Sequence, residues 1–272
     1  IAGSPASEGL WAKQIGWTKG PPVMLSSSYR ISPIKAFHAV WMRTSTIDVG
    51  LYLGTKGPGP SPFNRGPEMV PLAGRSRLLA TFNAAFYSRD GAAGFYTHGT
   101  LYEPMVRGLA TFIERVNGTV DIIPWVGGPH PGQEIVTARQ NLTLLTAGGR
   151  PTPRALDQSH WRYWGETVHV VPAVWRSALC VDESGNLRYG AGPDLTAAGL
   201  ALAMAHIGCL RSMELDINAD WPIFVSYRAQ GGRIPTMVIP NPNQWANRHL
   251  TYSLRDFFAI YVRSGKNVSI PW

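Results

Sequence analysis

The densest group of polar side chains in the chain is MELDINADWPIF, where Glu214 and Asp216 stand two positions apart. If Met213 to Asp216 is a strand, alternation puts both carboxylates on one face, with Cα atoms about 6.6 Å apart. Two carboxylates at roughly that separation suit glycosidic cleavage, one as nucleophile or base and the other as acid. They also fall at a strand end, where loops open and sites collect. The plainer alternative is an acidic strand end paired with Arg211 or Arg228. Asp216-x-Asn218-x-Asp220 further resembles the first half of a calcium loop. An EF-hand is excluded, because Trp221 stands at its sixth position and Tyr227 at its twelfth. A different oxygen-ligand site for calcium or magnesium, built from Asp216, Asn218 and Asp220, is kept as an expectation.

A second constellation is LLATFNAAFYSRDGAAGFYTHGTLYEP. Here Asn83 can present an amide to a sugar, Glu103 is a spare carboxylate, and several glycines allow close backbone approach. Arg107, Arg139 and Arg176 each precede or enter an expected strand, and their planar donor forks suit a phosphate. Asn218 and Trp221 complete the expected binding residues, while Trp161 and Trp164 are candidates for sugar stacking or for the core. No G-x-S-x-G elbow, H-E-x-x-H, Walker loop or cysteine zinc framework is present, and the seven histidines lack metal-ligand spacing. Serine-hydrolase, zinc-hydrolase and nucleotide-binding readings fall away.

These residues need a scaffold, and composition indicates its type. The chain has 272 residues, 44% apolar and only 15% charged, with 29 Gly and 22 Pro. That length buries a core, and aperiodic Gly and Pro suggest many turns between short strands. Asn117-Gly118 sits between two alternating β-rich runs, the strongest short hairpin signal, and RSALCVDESGNLRYG turns at Ser184-Gly185-Asn186. One helix stands out across 195–206, with Asp194 or Thr196 to cap it and Gly208 to stop it; LRSMELD after it reads as a strand. Residues 57–71 read as a long surface loop. The expected fold is α+β, a strand-rich single domain over 1–272 with a mixed twisted β-sheet and few helices.

The formal charge is +8, and 20 of the 25 cations are Arg, which points to an anionic substrate or polymer. The scattered cations and missing recognition motifs argue against nucleic acid. No apolar stretch is long enough for a membrane span. Cys180 and Cys209 are either one disulfide or two buried thiols. The chain starts at Ile1 without a leader-like segment, so a processed form is expected. Nothing in the sequence sets the oligomeric state.

Taken in order, the motifs resemble the phosphodiester glycosidase family, in a bacterial branch, over about 49–263. They are GLYLGTKGPGP, the A-x-F-N-x-x-F block at 80–86, the glycine-led block through Gly94, Gly99 and Pro104, and ARQNLTLLTAGG. RSALCVDESGNL, the helix with Leu215-Asp216, and RDFFAIYV follow; residues 1–48 then form an N-terminal extension packed on the same domain. Ile217 to Trp221 replaces the family's glycine-rich turn, and Ala84-Ala85 replaces its glycines after the asparagine, which implies an altered pocket.

The resemblance implies a secreted or cell-envelope hydrolase that cleaves a sugar C1–O–phosphate diester in wall or capsular polymers. Asp216 would be the essential carboxylate, Arg176 the phosphate clamp with Arg107 as second choice, and Asn83 the residue orienting the sugar. Glu214 and Glu103 compete for the acid role. The alternatives are a glycoside hydrolase on uncharged polysaccharide using Glu214 and Asp216, and a non-catalytic carbohydrate-binding module.

Overall fold

The computed structural model describes residues 9, 11–13, 23–33, 35–60, 64–228, 234–263 and 270–272. Among them, short alternating runs separated by turns form three sheets, of eight, five and five strands. The large sheet runs, in spatial order, Ala12–Lys13, Met24–Ser32, Lys35–Met42, Leu187–Leu195, Val174–Val181, Arg211–Glu214, Leu144–Ala147 and Arg150–Pro151. A second sheet is ordered Thr100–Glu103, Phe95–Thr97, Ile135–Gln140, Ala110–Arg115, Val120–Pro124. The third is ordered Ile234–Met237, Phe224–Arg228, Leu78–Asn83, Phe257–Val262, Ile47–Tyr52.

Every described pairing is antiparallel. The expected mixed sheet is therefore corrected to three antiparallel ones. The strands that follow one another directly do so mostly as hairpins, and the long connections, such as that from Lys35–Met42 to Leu187–Leu195, return the chain antiparallel as well. Both expected hairpins form, the Asn117-Gly118 turn with Glu114 opposite Val120 and the 184–186 turn with Val181 opposite Leu187.

Alternation builds the core. Leu179 and Val181 face a cluster shared by all three sheets, with Val40, Leu51, Phe82, Phe95, Phe112, Tyr189 and Phe258. Ala178 and Cys180, one residue out of phase, face the helix Ala197–His206 through Leu200, Ala201 and Met204. Thr196 caps that helix, its Oγ1 accepting the Gly199 amide at 3.0 Å, and Gly208 ends it at φ +85°. Cys180 and Cys209 form a disulfide that ties the helix exit to the sheet.

The 57–71 segment is not wholly a surface loop, although residues 61–63 lie outside the described set. Gly57 is buried against the 254–256 backbone, where a Cβ would stand 2.9 Å from the Asp256 amide nitrogen. That close approach needs glycine and holds down the turn ahead of strand Phe257–Val262, on which the site depends.

Candidate active site

The strand of the acidic pair stops at Glu214, so the two-residue alternation does not extend to Asp216. Glu214 is fully buried, and its Oε1 accepts from Arg176 Nη1 at 2.6 Å. Asp216 follows a different path. Its amide donates to the Ala84 carbonyl at 2.8 Å, and its own carbonyl accepts from Ser177 Oγ at 2.7 Å. The ends of two strands from two sheets thus fix its backbone and aim the carboxyl into a cavity.

The cavity has a volume of about 420 Å³ and is walled by Asp216, Arg255, Phe86, Arg89, Asp90, Asn218 and the loop 165–170, among others. Asp216 Oδ2 stands 3.2 Å from Arg255 Nε. Their contact is an ion pair without hydrogen-bond alignment: Asp216 Oδ2, Arg255 Nε and Arg255 Nη1 are all buried and have no hydrogen-bond partner. Buried polar atoms are rarely left so. Burial pushes the Asp216 carboxyl up to about 7; the Arg255 charge pulls it down, and the Asp256 carboxylate opposes that pull.

Aromatic rings position the guanidinium. The Arg255 Cζ lies 3.4 Å from the Tyr87 ring centre and 4.4 Å from that of Trp221. Arg248 continues the series, its Cζ 5.0 Å from Trp221 and 5.2 Å from Trp245. Arg248 is held by the Asp220 carbonyl at 2.7 Å and by Gln244. Desolvation lowers it to about 10, so it remains a cation at neutral pH. An alternating ladder of cations and rings therefore runs outward from Asp216, each contact favourable through the ring quadrupole.

The other expected residues take different places. Asn83 is buried and saturated: its amide donates to Ser177 Oγ at 2.9 Å, and its Oδ1 accepts from Tyr189 Oη at 2.7 Å and the Ile223 amide at 3.1 Å. It reaches Asp216 only indirectly, through Ser177 and the Ala84 carbonyl, so it buttresses the site and does not line the cavity. Arg176 spends its donors on Glu214 and on the Leu195, Trp164 and Pro172 carbonyls. Arg139 does likewise, with Asp256 at 2.8 Å and the Ala93, Gln140 and Phe86 carbonyls. Each spends four of its five N–H donors inside the protein, and neither lines the cavity. Arg107 is exposed and caps the Val126 carbonyl at 2.9 Å. Glu103, on strand Thr100–Glu103, is half-buried and outside the cavity wall.

Asn218 lines the cavity but commits its side chain to the Val168 amide at 3.2 Å and the Glu166 carbonyl at 3.1 Å. Asp220 accepts from Asn243 at 3.1 Å. The structure does not bring Asp216, Asn218 and Asp220 together as a ligand set. No group of three His, Cys, Asp or Glu suited to a metal occurs among the described residues. Of the alternative partners for the acidic pair, Arg211 binds Asp121 at 2.6 Å, and the Arg228 side chain lies outside the described residues. Trp164 is a core residue, whereas Trp161 is half-buried under the Arg162 guanidinium.

Sequence reasoning did not single out Arg255, Tyr87, Arg248 or the 165–170 loop. One signal was present: Arg255-Asp256 abuts the apolar run FFAIYV, and a charged dipeptide against a buried strand must find partners inside.

No protein-family model matches the chain, and no curated protein matches it. Among solved structures, the chain is similar to the catalytic domain of zebrafish N-acetylglucosamine-1-phosphodiester alpha-N-acetylglucosaminidase, in a form auto-inhibited by its pro-peptide. The TM-score is 0.58 at 15% identity, over 92% of this chain and 87% of that one. A hypothetical protein from Synechocystis matches with a TM-score of 0.48 at 13% identity, over 90% of this chain and 64% of that one. The first likeness is one of fold.

Proposed function

We propose that this chain is a hydrolase of glycosyl phosphodiesters, acting outside the cytoplasm on wall or capsular polymers, with Asp216 and Arg255 as its chemical centre. The observation that carries the reading is the pair of unpartnered, buried Arg255 donors beside a carboxyl poised at about 7 in a cavity wall. The zebrafish enzyme of similar fold is named for cleaving such a diester, which fits this centre. The Cys180–Cys209 disulfide fits an oxidising compartment.

In this reading the phosphodiester oxygens accept from Arg255 Nε and Nη1. Water attacks the anomeric carbon as its proton passes to the Asp216 carboxylate. The C1–O bond breaks, and its electron pair leaves with the phosphate monoester, whose charge Arg255 stabilises. Phosphate leaves without needing a proton, so no second carboxylic acid is required, and Glu214 and Glu103 have no chemical part. Phosphate bound on Arg255 weakens the hold of that cation on Asp216 and raises the basicity of the carboxylate at the moment it must take a proton.

The test compares wild type and Asp216→Asn on a sugar-1-phosphate methyl diester and on an aryl glycoside. The expected result is turnover of the diester alone, with at least a hundredfold loss of kcat/KM in the variant. Equal turnover of the aryl glycoside would favour an ordinary glycoside hydrolase. Polymer binding without product from any diester would favour a carbohydrate-binding module. Retention of wild-type rates by Asp216→Asn would end the assignment.

A further inference from the structure

The cavity wall opposes two chemistries, and the second has no part in the reaction just described. Val168 and Val170 both line the cavity, yet they are 65% and 61% exposed, and Val171 beside them is 41% exposed. Single exposed apolar residues are ordinary. Three within four positions, at the mouth of a polar cavity, are not.

The fold holds them there against a conformational preference. Val170 sits at φ +54°, a left-handed backbone that strongly disfavours a β-branched residue. Thr167, itself buried, locks the turn: its Oγ1 donates to the Val171 carbonyl at 2.8 Å and accepts the Val171 amide at 3.0 Å. The Val170 amide adds a bond to the Thr167 carbonyl at 3.1 Å. At the base of the loop, Asn218 grips both Glu166 and Val168. Hydrogen bonding keeps this loop in one shape, and that shape turns methyl groups outward.

We propose that the loop 165–172 is a hydrocarbon-binding lip, and that the phosphodiester taken by this site carries an alkyl or prenyl chain on its phosphate. The inference rests on the hydrolase reading for its chemistry, adds the class of the leaving group, and narrows the substrate from wall or capsular polymers at large to glycosyl phosphodiesters that carry a hydrocarbon chain. The phosphate anchors at Arg255, the sugar enters the polar part of the cavity, and the chain lies across Val168, Val170 and Val171. The juxtaposition of a cationic anchor and an apolar lip in one cavity is what an amphiphilic phosphodiester requires, and a wholly polar wall polymer would leave the lip uncovered.

The experiment is a series of sugar-1-phosphate diesters of methanol, butanol and octanol, each kept below its micelle concentration. Burying one methylene is worth up to about fourfold, and only part of an octyl chain reaches the lip. We expect kcat/KM to rise at least about tenfold from methyl to octyl. Val168→Ser with Val170→Asn, the latter a residue that tolerates left-handed backbone, should bring the octyl-to-methyl ratio close to one. Equal rates along the series, or an unchanged ratio in the variant, would overturn the lip.

Calorimetric binding of octyl phosphate against methyl phosphate gives an arm independent of turnover. An octyl preference that the variant loses supports the lip even if no diester is hydrolysed, in which case only the hydrolase reading falls. Absence of that preference overturns the lip whatever the turnover.

Discussion

Replacing Arg255 by methionine should inactivate the protein while barely loosening it, and the reason lies in the ionisation of Asp216. A carboxyl held at about 7 is half ionised at pH 7, and that ionisation contributes only about 0.4 kcal/mol relative to the neutral acid. When the guanidinium 3.2 Å away is removed, the carboxyl can take up a proton and forfeit no more than that amount. The lost contacts with Tyr87 and Trp221 add about 0.5–1 kcal/mol each, for a total of about 2 kcal/mol. Breaking a buried pair whose remaining partner must stay charged costs about 3–5 kcal/mol.

The chemical consequence is far larger. Even at an effective dielectric constant of about 20, the pair is worth up to about 5 kcal/mol, so the carboxyl rises by two units or more once Arg255 is gone. A two-unit rise leaves about 1% of Asp216 ionised at pH 7, which alone costs about fiftyfold in base catalysis. Urea unfolding should find the variant's deficit smallest at pH 6 and about 1 kcal/mol greater at pH 8 than at pH 7. Carbon-13 titration should show the ionisation near 7 displaced upward. A pH-independent deficit of 3–5 kcal/mol, or an Asp216 that still titrates near 7, would refute the reasoning.

Arg176→Met lets Glu214, itself lifted by burial to about 7, take up a proton, but it strands the Leu195, Trp164 and Pro172 carbonyls. Urea unfolding should show a loss of about 3 kcal/mol, roughly 1 for each carbonyl, while kcat/KM of the folded protein changes by no more than a few-fold. Opening the Cys180–Cys209 disulfide, with its 29-residue separation, by Cys180→Ser with Cys209→Ser should cost about 3.5 kcal/mol on the loop-closure account. Burial lifts Glu114 from 4.5 to about 7, opposed by its bond from Thr137. Because the folded-state value is raised, its contribution to stability is full below 4.5 and is lost as pH climbs through 7. Glu114→Gln, which still accepts from Thr137, should therefore be near neutral at pH 4.5 and stabilise by up to about 3 kcal/mol at pH 8, by urea unfolding.

The strand content, both hairpins and the capped helix were legible because their signals are local. A turn dipeptide between alternating runs, or a threonine three residues before a glycine amide, specifies its own hydrogen bonds. Sheet direction was not legible, since it depends on how far the chain travels between partners. Asp216 could be singled out as a candidate because an acidic residue among apolar ones is conspicuous at any register. Its partner was not, because Arg255 lies 39 positions later in the numbering, and only pairing of strand Phe257–Val262 with Leu78–Asn83 brings it home. Arg176 and Arg139 were misleading for the opposite reason. An arginine entering an apolar strand looks available in sequence, but burial obliges it to spend most of its donors inside.

That obligation separates the three buried arginine–carboxylate pairs. Arg139–Asp256 and Arg176–Glu214 are fully buried, at 2.8 and 2.6 Å, with their remaining donors taken by backbone carbonyls. Each ties one element to another away from the cavity wall, although Glu214 Oε2 and Asp256 Oδ1 also lack a hydrogen-bond partner. Arg255–Asp216 is longer, slightly exposed and flanked by rings, which hold a guanidinium through its face and leave its in-plane N–H donors free. At Arg255 aromatic support fixes the guanidinium while Nε and Nη1 stay without hydrogen-bond partners. By that criterion the phosphate of the proposed substrate is assigned to Arg255, where its binding would complete hydrogen bonding that the fold itself leaves open.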